Sequence, residues 1–314
     1  MIDRLSKGAR RLRRTFKNWL GNPTTVRGGN PTPRRAEKDD TDIPAPEKSS
    51  ETDQFSQYEM RLPTHQNAID LLPGWSSAFP SKLGLAAGKL PLLWDPRIRA
   101  ALEAYGPIKG KTILEVGPLE GMHTYMLNGH NPARIDAIEA NKQCFLRCLV
   151  TKEILKLNNA NFYLGDIKSW LEETDTVYDL AIASGVLYHM DDPAWFLTKI
   201  AARSNAIFIW THFYDEVAMP VSDIRHVAFT GNVEIRDYDG LKLHYHERSY
   251  HSANANASFC GGMKDRHYWM RKDEILLLLK HFGYADVVEL DVNPDHAGGP
   301  CISIFARKSP EAAS

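Results

Sequence analysis

From about residue 112 onward, apolar residues along the chain follow two alternating rhythms. Short β-rich runs at Thr112–Val116, Arg134–Glu139, Asn161–Leu164, Tyr178–Ala183 and Ala206–Trp210 predict strands buried on both faces. Between them the period lengthens. Lys142–Leu157 carries Phe145, Leu149 and Lys152 to Leu157 in helical register, and Pro193–Ala202 follows Asp191 and Asp192 with a proline in its first turn. Such alternation predicts an α/β fold, a doubly wound parallel sheet. A polar insertion, residues 214–271, interrupts the pattern. A helix at Asp273–Phe282 and two strands, Asp286–Asp291 and Ile302–Ala306, then follow, close enough to close the sheet as an antiparallel hairpin.

Before residue 58 the pattern vanishes. Residues 21–57 hold five prolines among Gly, Ser, Thr and charged residues and predict a disordered linker. Residues 1–20 carry seven Lys and Arg against Asp3, a net charge of +6, with Ile2, Leu5, Leu12, Phe16 and Trp19 at helical spacing. This basic amphipathic segment suits peripheral contact with an anionic membrane; an RNA-binding arm and a solvated tail are the alternatives. The division expected is therefore 1–20, 21–57 and a folded domain 58–314 containing the insertion. That domain sums to −5 within a chain total of −1, which makes it a poor general platform for a polyanion.

At 43% hydrophobic and 25% charged, the chain is neither fibrous nor wholly disordered. Its longest aliphatic run, Ile275–Leu279, is far short of the roughly 20 apolar residues of a membrane-spanning helix. Four cysteines without an apolar leader point to a reducing cytoplasm, at the inner membrane face if the basic segment binds lipid. Cys144 and Cys148, one turn apart, are most simply two small buried side chains.

The first strand runs into Glu115-Val116-Gly117-Pro118-Leu119-Glu120-Gly121. Gly117 allows a sharp turn and Gly121 clears the start of the next helix. A dinucleotide loop would carry a third glycine, and Glu120 would repel a pyrophosphate, so an NAD-dependent oxidoreductase is disfavoured. Glu115 suits a ligand with a positively charged amine. Glu139, ending the second strand, is placed to take both hydroxyls of a ribose. Asp166, with the Ile167 N–H, is placed to read an adenine edge.

In this order, with Ser184-Gly185-Val186-Leu187-Tyr188-His189 after the fourth strand, these motifs resemble those of class I S-adenosylmethionine-dependent methyltransferases. The resemblance implies a Rossmann-like seven-stranded sheet, S-adenosyl-L-methionine as cofactor, and Glu115, Gly117, Gly121, Glu139, Asp166, Ile167, Ser184 and Gly185 as its binding residues. The stretch Ser184–Pro193, with Phe145-Leu146, Leu72-Pro73, Trp75, Phe79, Leu83-Gly84 and Trp94-Asp95, is similar to the bacterial tRNA wobble-uridine carboxymethyltransferases and their relatives. That family uses lysines before the first strand to hold the extra carboxylate of a carboxylated cofactor. Here Trp75–Phe79 and Leu92–Asp95 contain none, which favours ordinary S-adenosylmethionine.

Methyl transfer from a sulfonium is an in-line displacement, so positioning supplies most of the catalysis and a base is needed only for a hydroxyl acceptor. Tyr188, His189 and Asp192 follow the fourth strand as candidate catalytic residues, with His189 either a base or a packing group. The fourth strand lacks an Asn/Asp-Pro-Pro-Tyr/Phe pattern and a Pro-Cys pair, which leaves an oxygen on a small molecule or glycan as the favoured acceptor and tRNA as the alternative. A non-catalytic cofactor-binding protein on the same fold is the rival from another class. The insertion's cluster of His244, His246, Glu247, His251, Cys260, Arg266, His267, Tyr268, Trp269 and Arg271 reads as a wet, substrate-facing surface, with Gly261-Gly262 placed to hinge a lid. No metal site is expected, because no third ligand follows His244 and His246 at a metal-binding spacing.

Overall fold

The computed structural model describes residues 58–256 and 259–309. The segments 1–20 and 21–57 lie outside the described residues. Two compact units divide the chain, residues 1–67 and 68–314, and the second holds every strand.

A seven-stranded sheet runs in the order β3-β2-β1-β4-β5-β10-β9. Its strands are β1 (Thr112–Val116), β2 (Arg134–Glu139), β3 (Ala160–Leu164), β4 (Leu180–Ser184), β5 (Ala206–His212), β9 (Tyr284–Asn293) and β10 (Cys301–Lys308). The first five are parallel. β10 inserts antiparallel between β5 and β9, as the closing hairpin expected from the sequence. Helices α1 (His65–Leu71), α2 (Pro96–Tyr105), α3 (Met122–Asn128), α4 (Lys142–Leu155), α5 (Ile167–Glu173), α6 (Pro193–Ala202) and α7 (Lys272–His281) accompany these strands. The strand order reverses between β1 and β4, which opens a crevice at the carboxyl ends of the parallel strands.

Boundaries shift where tertiary pairing overrides local pattern. β4 begins at Leu180 because Tyr178 makes only an isolated bridge to Ser204. β5 continues to His212 because β10 pairs with it that far. α4 stops at Leu155, where Lys156 turns left-handed at φ 55°. The insertion leaves and returns at one point, an isolated bridge between Tyr214 and Arg271. It forms its own antiparallel sheet of β6 (Phe229–Tyr238), β7 (Leu241–Ser249) and β8 (Arg266–Trp269). Asp239 and Gly240, with φ of 52° and 82°, supply the paired left-handed residues that a two-residue hairpin needs. Among the described residues no helix is long and apolar enough to cross a membrane.

The segment before α2 is held by a buried ion pair. Glu120 accepts the backbone N–H groups of Ser76 (2.8 Å) and Ser77 (2.7 Å), while Arg147 Nη1 stands 3.5 Å from the same carboxylate. Arg147 also donates to Pro73 O at 2.5 Å. The Glu120 read from sequence as a repulsive loop acid thus faces inward. Arg147→Met strips a buried carboxylate of its cation and should lower unfolding stability by about 3–5 kcal/mol in urea titrations. A loss below about 1 kcal/mol would show that the pair does not anchor this segment.

Candidate functional site

The loop after β1 packs against β2 through Gly117 N to Ile138 O, 3.0 Å. Gly117 sits at φ 66°, and a side chain there would press on Val186 Cγ2 at 3.3 Å, so the turn accepts glycine best. Leu119 also turns left-handed, which aims its N–H at Glu139 Oε2, 3.1 Å away. Asn141 N holds the other Glu139 oxygen at 2.7 Å. Burial raises Glu139 to about pH 7 despite these donors. Glu115, wholly enclosed below the loop, is also raised by burial; Thr124 donates to its Oε2 at 2.6 Å, while its Oε1 has no partner. Ser184 Oγ is likewise buried and unpartnered.

These orphaned oxygens lie where the strand order reverses, beside a glycine turn and a carboxylate prepared to accept. These acceptors fit a ligand that carries an ammonium and a ribose. Asp166 caps α5 by accepting Lys168 N at 2.9 Å, which places the Ile167 N–H at the end of β3. Gly121 begins α3, where a side chain would meet Phe162 at 3.3 Å, and Gly185 follows Ser184 at φ 85°.

The candidate catalytic residues take different places. Tyr188 is buried, with ring centroids 4.1 Å from His189, 4.7 Å from His212 and 5.9 Å from Trp210. His189 Nδ1 pairs closely with Tyr250 Oη, which also accepts Gly262 N at 3.3 Å. Burial, with His267, His212 and Arg248 nearby, holds His189 well below its usual value and keeps it neutral at pH 7. Asp192 caps α6 through Trp195 N (3.0 Å) and accepts Tyr245 Oη (2.9 Å).

The insertion is only partly the wet surface its polarity suggests: His251, Cys260 and Arg266 are exposed, whereas His246, His267, Tyr268 and Trp269 are buried. His244 Nδ1 pairs with Glu274 Oε1 at 2.6 Å, and His246 stacks on Tyr214 at 3.4 Å. Tyr268 N donates to Met190 O, joining β8 to the loop after β4. The Phe259–Gly262 segment reaches both halves of the site. Asn141 Nδ2 donates to Phe259 O at 2.8 Å, and Gly262 N donates to Tyr250 Oη at 3.3 Å. Cys144 is buried as expected, but its Sγ lies 3.4 Å from Cys260 Sγ.

Several residues around this end were not singled out from sequence. Arg97 lies over the Trp210 ring at 4.4 Å and is fixed by Asp95, which despite burial is held well below the carboxylate range by His123 and Arg97. The half-buried Arg248 lies over the Trp269 ring at 3.9 Å, and desolvation lowers its guanidinium to about 10. His212 ends β5, and Cys301 opens β10 directly opposite.

Comparison with known proteins supports the fold. The N-terminal domain of EvdMO1 crystallised with SAH bound is 20% identical and covers 78% of this chain and 95% of its own, with a TM-score of 0.59. The same domain in the presence of SAH and D-fucose gives 21% identity, equal coverage and the same score. No family model matches. A tRNA U34 carboxymethyltransferase of Alteromonas mediterranea is 28% identical over 100 residues, 30% of this chain and 29% of that relative, so the match spans under a third of its length. The fold is the Rossmann-like fold of class I methyltransferases.

If Glu139 receives ribose hydroxyls as a carboxylate, cofactor affinity should rise by about tenfold from pH 6 to pH 8 as its proton is lost near pH 7. Glu139→Gln should flatten that profile in calorimetric titrations; equal slopes in both proteins would remove Glu139 from the ribose site.

Proposed function

We propose that this chain is an S-adenosyl-L-methionine-dependent methyltransferase acting on an oxygen of a small molecule or glycan. The observation that carries the reading is the set of incompletely partnered oxygens at the strand-order reversal. Glu115 Oε1 and Ser184 Oγ are buried without partners beside Gly117, and Glu139 is oriented by two backbone N–H groups. In this reading Glu115 answers the ammonium side of the ligand, Glu139 the ribose, and Asp166 with the Ile167 N–H the adenine; Gly121 and Gly185 give the backbone close approach. The cofactor supplies an electrophilic methyl group. The chain's own residues position it and exclude water. Tyr188 and Trp210 wall the methyl-facing side, and His189 beside them is the candidate base for a hydroxyl proton.

An oxygen acceptor is supported by the absence of amine- and carbon-methylation motifs after β4 and by a structural neighbour studied with D-fucose. The tRNA reading has one specific support, the partial similarity to a tRNA U34 carboxymethyltransferase. Against it stand the lysine-free stretches before β1 and the −5 charge of the folded domain. A cytoplasmic location, with residues 1–20 drawing the enzyme to anionic lipid, completes the proposal.

Three measurements test it. Gly117→Arg should abolish S-adenosylmethionine binding by filling the turn, and Glu139→Ala should weaken it by about 1.5–3 kcal/mol, as expected for hydrogen bonds to a charged group. Unchanged affinity in both variants would move the pocket elsewhere. Labelled methyl transfer into sugar, lipid and tRNA fractions of a cell extract separates the acceptors; incorporation into tRNA alone would put tRNA ahead of the small molecule and the glycan. The full chain should sediment with anionic vesicles at low salt and a chain starting at Gln54 should not; equal sedimentation would refute a membrane role.

A further inference from the structure

At the carboxyl end of β5, three side chains far apart in sequence converge. His212, His296 and Cys301 each place a ligand atom within 4.8 Å of the other two. The sheet forces two of the contributors together. β10 runs antiparallel to β5 with Cys301 directly opposite His212, and opposed residues of an antiparallel pair project from the same face. His296 arrives from the short connection between β9 and β10.

His212 is oriented as metal-binding imidazoles usually are. Its Nδ1 faces the carbonyls of Gly299 (2.9 Å) and Pro300 (3.2 Å). A carbonyl only accepts, so Nδ1 carries the proton and Nε2 of the neutral ring carries the lone pair. The ring is clamped by Trp269, stacked at 4.9 Å with 4° between planes. Gly299 makes that clamp possible: at φ 116° it lies so near the indole that a Cβ would meet Trp269 Cη2 at 2.7 Å. His296 Nδ1 accepts Gly298 N at 3.0 Å, so ion capture by that nitrogen exchanges the bond for a ligand.

We propose that His212, His296 and Cys301 form a three-ligand site for a borderline-soft divalent cation, zinc by its ligand set, whose open position holds the acceptor oxygen. Two imidazoles and a thiolate match catalytic rather than structural zinc, which fills all four positions with protein. Tetrahedral coordination wants ligand atoms about 3.3–3.6 Å apart. The short turn bearing His296 can close the difference. Capture releases the Cys301 proton to solvent. The cation stands next to Tyr188, at the end of the sheet where the methyl group would be presented, and a hydroxyl bound to it loses its proton more readily. The acceptor role rests on the methyltransferase reading; the cation site does not.

Co²⁺ titrated into the reduced full chain tests the site. One equivalent should bind with a near-ultraviolet thiolate-to-cobalt band and be displaced by Zn²⁺. Cys301→Ser should remove the band, and His296→Ala, on a partly exposed turn, should weaken Co²⁺ binding at least tenfold with an unchanged melting curve. The double variant Cys144→Ser, Cys260→Ser should keep the band, which excludes the second thiol pair. No band in the parent chain, a band that survives Cys301→Ser, or a band lost with the double variant each overturns the proposal. If Cys301→Ser fails to fold, His296→Ala decides: full affinity overturns the site. S-adenosylmethionine affinity measured on the same samples separates the two readings. Cofactor binding without a cobalt band refutes only the cation site, and a cobalt band without cofactor binding refutes only the methyltransferase reading.

Discussion

A carboxylate taken out of water must be met by donors, and much of this molecule is arranged to supply them. Glu120 draws down the backbone of Ser76 and Ser77 and with it the segment that precedes α2. Glu139 fixes the loop after β1 by accepting from Leu119 and the start of α4 by accepting from Asn141. Asp95 caps α2 while it gathers Arg97 and His123, and Asp192 caps α6 while it receives Tyr245 from the insertion. Glu115 is the exception: one of its oxygens is buried without a donor. The acid left incomplete lies under the loop that turns at Gly117, where a cationic ligand would complete it.

Elsewhere the chemistry is opposite: rings from the insertion, from the end of β5 and from the turn after β4 gather together, His267, His212 and His189 among them. His189, His212 and His267 are all held below their ordinary values, first by burial, and the Arg248 field acts on each of them. Each neutral imidazole keeps a lone pair that can meet a proton or a cation. The two regions differ in kind: one is built on carboxylates met by donors, the other on packed rings.

Periodicity and turn chemistry were enough to read the alternating strands and the closing hairpin, and a family resemblance singled out the strand-end motifs at Glu115, Gly117, Glu139, Asp166 and Ser184. Each is local. A strand end followed by glycine or an acid carries its meaning within a few residues, because the parallel sheet brings all such ends to one edge. The polarity of His246 and His267 misled for a related reason: alternation shows which residues share a face, but not whether that face meets water or another sheet.

What only the tertiary structure decided are the meetings between distant segments. Arg147 reaches Glu120 and Pro73 O, Cys144 reaches Cys260, and His212 reaches Cys301 because β10 pairs with β5 in one register. No spacing in the chain encodes these pairs. Sequence sets which side chains stand at the end of each element; strand order and register, which are fixed by burying the whole apolar surface at once, set which of those ends become neighbours.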